Sequence, residues 1–267
     1  MRYQPSDRYP DITFERKRTI NSSNDSLSLV PRIAPNLKSL LPPNYLVLKG
    51  EDVKKVNRNS IRVFDLDDPE NDDIGDGNFG YPTGHQFQSG IFDLTGISLK
   101  EDHLNYFFKL NFRNLVDPGW HAEYGFQLTF ITIAINSSEK NIPTTLEVGR
   151  NSGWILGEGK QADRLIHIGG GLEVVDTKGK ILAQYIPRQL QYPLGNATLG
   201  EISFALPRSL FNGDVEDWMI TVLVGSQDDH GGGGIGEFRN VTEKGGIWKG
   251  SGGGKGSSNV NDTLYYP

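Results

Sequence analysis

The spacing of apolar stretches restricts this chain more than any other feature. From Ser60 onward, short runs of aromatic and β-branched residues recur between clusters of turn formers. Gly90–Lys100 and Asn105–Phe112 flank Asp102-His103 and read as a hairpin. Tyr124–Asn136 (YGFQLTFITIAIN) alternates large apolar residues with small or polar ones along its whole length, the strongest strand signal in the chain. Further strands are expected at Thr145–Val148, Arg164–Ile168, Leu172–Asp176, Ile181–Ile186, Glu201–Ala205, Trp218–Val224 and Thr263–Tyr266. Many short strands at near-regular spacing predict an all-β sandwich or barrel and exclude a series of βαβ units. Only Pro207–Asn212 reads as a helical turn.

Two segments depart from that rhythm. Residues 1–60 are polar and broken by Pro5, Pro10, Pro31, Pro35, Pro42 and Pro43, with short extended pieces at Asp11–Thr19 and Tyr45–Leu48. They read as an irregular N-terminal extension, a docking or assembly strand for its own domain or for a neighbour, preceding a β domain over 61–267. Near the other end, residues 225–256 hold 13 of the 33 glycines, a density that cannot pack a core and therefore forms loop. Trp248 interrupts it, in the position of an anchor that pins the loop.

Composition removes several functions. With no cysteine in 267 residues, disulfide scaffolds, thiol catalysis, iron–sulfur clusters and cysteine zinc sites are excluded. A net charge of −6 argues against nucleic acid as a partner. No apolar stretch approaches the roughly 18 residues of a membrane span, and MRYQPSDRYP lacks the apolar core of a signal peptide. Six N-x-[S/T] sequons, at Asn21, Asn24, Asn136, Asn196, Asn240 and Asn261, point the other way, toward an exported glycoprotein.

Catalytic motifs fail on their surroundings. Gly75-Asp-Gly77-Asn-Phe-Gly80 matches a dinucleotide fingerprint, but Tyr81-Pro82 follows where the phosphate-binding helix would have to begin. Gly254-Lys255 lacks both the first glycine and the Ser/Thr of a phosphate loop. The five histidines form no i,i+4 pair, and no G-x-S-x-G elbow occurs. The expectation is a protein that is not an enzyme.

One block rises above composition. Residues 63–99 contain eight acidic residues and no Lys or Arg, so this window carries −8 and leaves +2 for the remainder. Seven of the eight lie in Asp65–Asp76. Crowded carboxylates repel by roughly 1 kcal/mol per close pair even in water. Ca²⁺, which takes 6–8 oxygen ligands, relieves that repulsion. Asn71, Gly75 and Gly77 supply the left-handed backbone that lets a loop wrap an ion.

The same block resembles a known family. Asp68-Pro-Glu-Asn-Asp72-Asp73-Ile-Gly75-Asp-Gly77-Asn-Phe-Gly-Tyr81-Pro82-Thr83 is similar to the D-P-x-G-D-D-x-G-x-G-x-Y-x-Y-P-T opening of the C-terminal module of glucodextranase-like proteins, found also in archaeal amylopullulanases and surface-layer-associated proteins. The likeness continues through Gly90–Thr95, Gly125–Gln127, Asp217-Trp218, Val222–Asp228, Trp248-Lys249 and Asn259–Leu264, over about residues 62–267. Asn71 stands where the family has Gly, Phe79 where it has Tyr, and Asp117-Pro118-Gly-Trp120 shifts the aromatic of an N-P-W segment.

The resemblance implies an antiparallel β-sandwich of jelly-roll or DOMON-like type, related to family 9 carbohydrate-binding modules. It further implies an extracellular or cell-surface location, Ca²⁺ as cofactor and a polysaccharide partner, starch-like or a surface glycan. Candidate metal ligands are Asp68, Asp72, Asp73, Asp76, Asp93 and Asp228; candidate sugar platforms are Trp120, Tyr124, Trp154 and Trp248, each beside glycine or at a strand end. Trp218, inside an apolar run, is expected in the core. Two alternatives stand beside this reading. One is a structural subunit of an extracellular filament or surface layer, with residues 1–60 mediating self-assembly in a larger surface complex. The other is a haem b-binding electron-transfer subunit of DOMON type, for which Met219 is the sole internal thioether.

Overall fold

In an antiparallel pair, alternate side chains face opposite sides, so a strand apolar at every second residue must bury one face. In the computed structural model, which describes residues 43–55 and 59–267, that pattern produces two sheets packed face to face. Tyr45–Pro267 form one unit.

The smaller sheet has five strands. β2 (Ile61–Asp67), β3 (Leu94–Glu101), β4 (Asn105–Phe112) and β12 (Glu201–Pro207) lie side by side, with the two-residue β11 (Gly195–Asn196) at the edge. Every second residue of β4 (Tyr106, Phe108, Leu110 and Phe112) is buried, which fixes its register against β3 and β12.

The larger sheet has eight strands. It runs β1 (Leu46–Val47), β10 (Ile181–Tyr185), β9 (Gly171–Val175), β8 (Arg164–Gly169), β5 (Thr129–Asn136) and β13 (Met219–Asp228). β13 then changes partner along its free edge: Ile220–Val224 pair with β15 (Asp262–Tyr266), and Gln227 and Asp228 with β14 (Glu237–Phe238). β6 (Glu147–Val148) and β7 (Trp154–Ile155) form a small separate hairpin.

Two cores result. The inner faces, including Ile131, Ile133, Ile135, Val222 and Val224 from the large sheet and Leu99, Phe108 and Leu110 from the small one, form the main core. Each such side chain stabilises the fold by about 1.5–3 kcal/mol on burial. The outer face of the large sheet is covered as well: Phe130, Ala134, Leu165 and Leu223 pack beneath Val148, Leu156, Phe238 and Val260. Tyr124–Asn136, expected as one strand, therefore becomes a 3₁₀ turn over Ala122–Tyr124 followed by β5, whose first seven residues are buried on both faces.

The expected hairpin and the remaining strands appear within a few residues of their sequence limits. Pro207–Asn212 holds a 3₁₀ turn, Arg208–Leu210. Trp218 is in the core, its ring against Tyr106 and Phe211 at 4.8 and 5.3 Å and its indole N–H donating to the Asn212 carbonyl. The domain begins before Ser60: β1 adds to the large sheet, and Leu48, just after it, and Val53 of α1 (Gly50–Val53) join the main core. The expected extended piece Asp11–Thr19, and with it most of the proposed docking segment, lies outside the described residues. No helix among the described residues is long and apolar enough to cross a membrane.

Candidate functional site: an acidic corner and an aromatic cleft

At one end of the sandwich, β2 runs out at Asp67 while β3 begins at Leu94 and β15 at Asp262. The chain crowds carboxylates there. Oxygens of Asp68, Asp72 and Asp262 lie within 4.8 Å of one another. Asp93 is fully buried; its Oδ2 accepts from the Asn71 N–H and the Arg113 guanidinium, whereas its Oδ1 has no hydrogen-bond partner among the described residues. Asp68 Oδ2 is likewise buried and unpartnered. Asp73, also buried, accepts from the Tyr81 hydroxyl.

Titration reflects this crowding. Burial, followed by the charges of Asp72 and Asp93, pushes Asp68 up to about 7. Burial, with Asp68 and Asp72 adding to it, pushes Asp262 up to about 7. Asp72 and Asp73 are raised too, each chiefly by burial and then by neighbouring carboxylates. Among the described residues, Arg113 brings the positive charge, and its bond to Asp93 raises its own pKa. Hard oxygen donors, two of them buried and unsatisfied, fit a divalent cation such as Ca²⁺.

The loop conformation follows from the sequence. Asn71 has φ 70, the left-handed geometry that Asn tolerates. Gly75, at φ 56, lies so close to the Phe79 ring that a Cβ would collide with it.

The second feature lies beside the first, where β13 passes from β15 to β14. A cleft of about 560 Å³ is lined by Trp120, His121, Tyr124, Gln127, Gln227, Asp228, His230, Arg239 and Trp248, among others. Trp120 and Trp248 are 54% and 43% exposed, with ring centroids 5.9 Å apart and planes inclined at 50°. Tyr124 stacks on His121 at 4.9 Å. Arg239 lies 5.6 Å above Trp248 and pairs with Asp228 at 3.3 Å, so the cleft combines apolar ring faces with a charged polar wall. Such a pairing of aromatic faces with placed polar groups is what a sugar ring requires.

The structure sorts the sequence candidates. Asp68 and Asp72 converge, with Asp73 and Asp93 in electrostatic reach. Asp76 is exposed on the loop, outside the cluster, and Asp228 stands in the cleft. Asp262 completes the cluster in its place. Its signal in the sequence is a charged residue opening an apolar strand, obscured because Asn261-Asp-Thr263 reads as a sequon. Asn261 is only 4% exposed and donates to the Asp73 carbonyl, so in the folded protein it is closed to a glycan. Asn196 and Asn240 are exposed and Asn136 is half-buried; Asn21 and Asn24 lie outside the described residues.

Of the aromatic candidates, Trp120, Tyr124 and Trp248 share the cleft, whereas Trp154 sits on β7 against the second core. Met219 begins β13, its sulfur 3.6 Å from the Tyr265 hydroxyl.

Residues 63–265 match the family described as the C-terminal binding-module, SLH-like, of glucodextranase. The chain belongs to that family. The match covers the sandwich from β2 to β15, and so includes both the acidic corner and the cleft of this glucodextranase-type module. No curated protein matches the chain.

Proposed function

We propose that this module is a non-catalytic attachment domain, working outside the cell, that holds a polysaccharide in the Trp120–Trp248 cleft and is braced by Ca²⁺ at the acidic corner. The exposed tryptophan pair carries the reading. Two large rings stay half in water at the mouth of a polar-walled cleft, even though Trp248 also rests on Phe87, and both suit the apolar faces of a pyranose. Membership of a binding-module family supports the same class of function. Asp68, Asp72 and Asp262 would supply the ion's anionic ligands, and Asp93 Oδ1 the buried oxygen that lacks a partner. An ion there would neutralise the corner and fix the ends of three strands.

Isothermal titration with α-glucans, maltohexaose and isomaltohexaose, tests the cleft. Binding is expected with the intact chain and weakened about tenfold or more by Trp248→Ala or Trp120→Ala. No heat with any glucan, or unchanged affinity in both variants, would remove the carbohydrate reading.

A further inference from the structure

The corner and the cleft are joined by a continuous packed path. Tyr81, whose hydroxyl donates to Asp73 in the corner, stacks on Phe92 with centroids 4.7 Å apart. Phe92 touches Phe87 at 6.5 Å, and Phe87 meets the Trp248 ring edge-on at 5.6 Å. Trp248 is one wall of the cleft. Four aromatic rings in contact therefore lead from a carboxylate of the acidic corner to a sugar platform.

Backbone contacts run alongside. Gly80 and Ser251 exchange both N–H···O bonds, at 3.0 and 2.9 Å, while Thr83 N–H donates to Gly246 and Gly84 N–H to Ile247. The strap that bears Trp248 thus hangs from the acidic loop as an irregular ladder. The approach is so close that a Cβ on Gly252, at φ 88, would meet the Asn78 carbonyl. The strap's other backbone bonds are local, Thr242 N–H to Gly250, Gly246 N–H to Lys249 and Gly252 N–H to Glu243, while Arg239 and Trp120 lie against its Trp248 ring. Six of the twelve residues from 243 to 254 are glycine, the residue that loses most conformational entropy on ordering, and Ile247 is 64% exposed.

We infer that cation binding at the acidic corner sets the order of the 243–254 strap, and so the affinity of the cleft, with Tyr81 and Phe87 as the positioning residues. The inference rests on the reading of the corner as a cation site. Without an ion, nothing draws together the clustered oxygens of Asp68, Asp72 and Asp262 or satisfies the buried Asp93 Oδ1, and the loop against which the strap is laid is looser. With one, the loop is fixed and Tyr81, Phe92 and Phe87 form a rigid support for Trp248. A partner in the cleft then meets a strap whose ordering entropy has already been spent. Reciprocity requires that a ligand on Trp248 raise cation affinity by the same factor.

Hydrogen–deuterium exchange of the full chain, with EDTA and with CaCl₂, tests this through two segments, 67–76 and 243–254. Calcium is expected to slow exchange in both, by about fivefold or more in the strap. In Phe87→Ala the loop should still be protected while the strap reverts to its EDTA rate; Phe87→Leu, which retains apolar volume, guards against a folding defect and should give an intermediate rate. Protection of 67–76 with no change in 243–254 overturns the coupling and leaves the cation site standing. No change in either segment removes the cation site, and the coupling with it. Strap protection undiminished in both Phe87 variants overturns the route through the rings.

Discussion

Glu173 and Asp68 are both acids withdrawn from water, and the chain compensates them differently. Glu173, on the outer face of β9, is 1% exposed and pairs with Arg150, which reaches down from the long β5–β8 connection. Gln184 also contacts it at 3.4 Å, and His167 stands opposite in register with its Nδ1 3.0 Å from the Thr132 hydroxyl. Asp68 meets Asp72, Asp93 and Asp262 instead, while the nearby Arg113 is engaged by Asp93. One region carries its own counter-charge and so fastens a loop. The other leaves carboxylates facing carboxylates, an arrangement that a cation from solution completes.

The largest expected effect comes from breaking the pair that is already complete. Arg150→Met strands the Glu173 carboxylate in the second core. Removing one partner of a buried pair costs about 3–5 kcal/mol, or roughly 6–20 °C in Tm for a domain of this size. Thermal denaturation should show this loss equally in EDTA and in CaCl₂. Replacing both partners (Arg150→Met with Glu173→Leu) should recover most of it. A loss below 2 °C in the single variant would erase the contrast between the two regions.

Next in size is the ion itself. At 100 times its Kd, a ligand that binds only the native state adds about 2.7 kcal/mol, here roughly 5–10 °C. Calcium should therefore raise the Tm of the wild-type chain by that amount. Asp68→Asn should abolish the gain yet, at a pH above 7 where Asp68 is ionised, melt at or above wild type in EDTA, because it removes a repelling charge. If Asp68→Asn lowers Tm equally with and without calcium, Asp68 acts through local packing and the corner is no different in kind from the Glu173 region.

What the sequence disclosed divides along the same line. Strands were legible where alternation is strict, as in Asn105–Phe112, because one periodic face dictates burial. The acidic corner was legible as a block because Asp68, Asp72, Asp73 and Asp93 are close in sequence. Asp262 was not, since it arrives from the far end of the chain through the pairing of β15 with β13. The aromatic cleft shows the limit most plainly. Trp154 follows a glycine just as Trp120 does, and only the β6–β7 hairpin sends it to the second core instead. The Glu173–Arg150 pair gave no local signal, because Leu172–Asp176 reads as an ordinary strand until two long loops cover its outer face.

The smallest expected effect, and the most diagnostic, is a change of sign with pH. Asp68 and Asp262, raised to about 7, hold protons in the metal-free native state that ordinary carboxylates in the unfolded chain have already released. Between about pH 4 and 7 the native state binds more protons from these two groups, so their contribution to stability falls as pH rises. His167 acts in the opposite sense. Burial, and then the charge of Arg150, lowers it to about 3, so only the unfolded chain takes its proton below about pH 6.5, and stability falls as pH drops. Two carboxylates against one imidazole should leave the EDTA melting profile declining from pH 4.5 to 7. Removing the imidazole with His167→Gln should steepen that decline. Calcium, which binds the ionised carboxylates, should turn the profile into one that rises with pH. Profiles that remain parallel in EDTA and CaCl₂ would mean that no ion titrates against these protons, and the acidic corner would then be a solvated loop rather than the unfinished counterpart of Glu173 and Arg150.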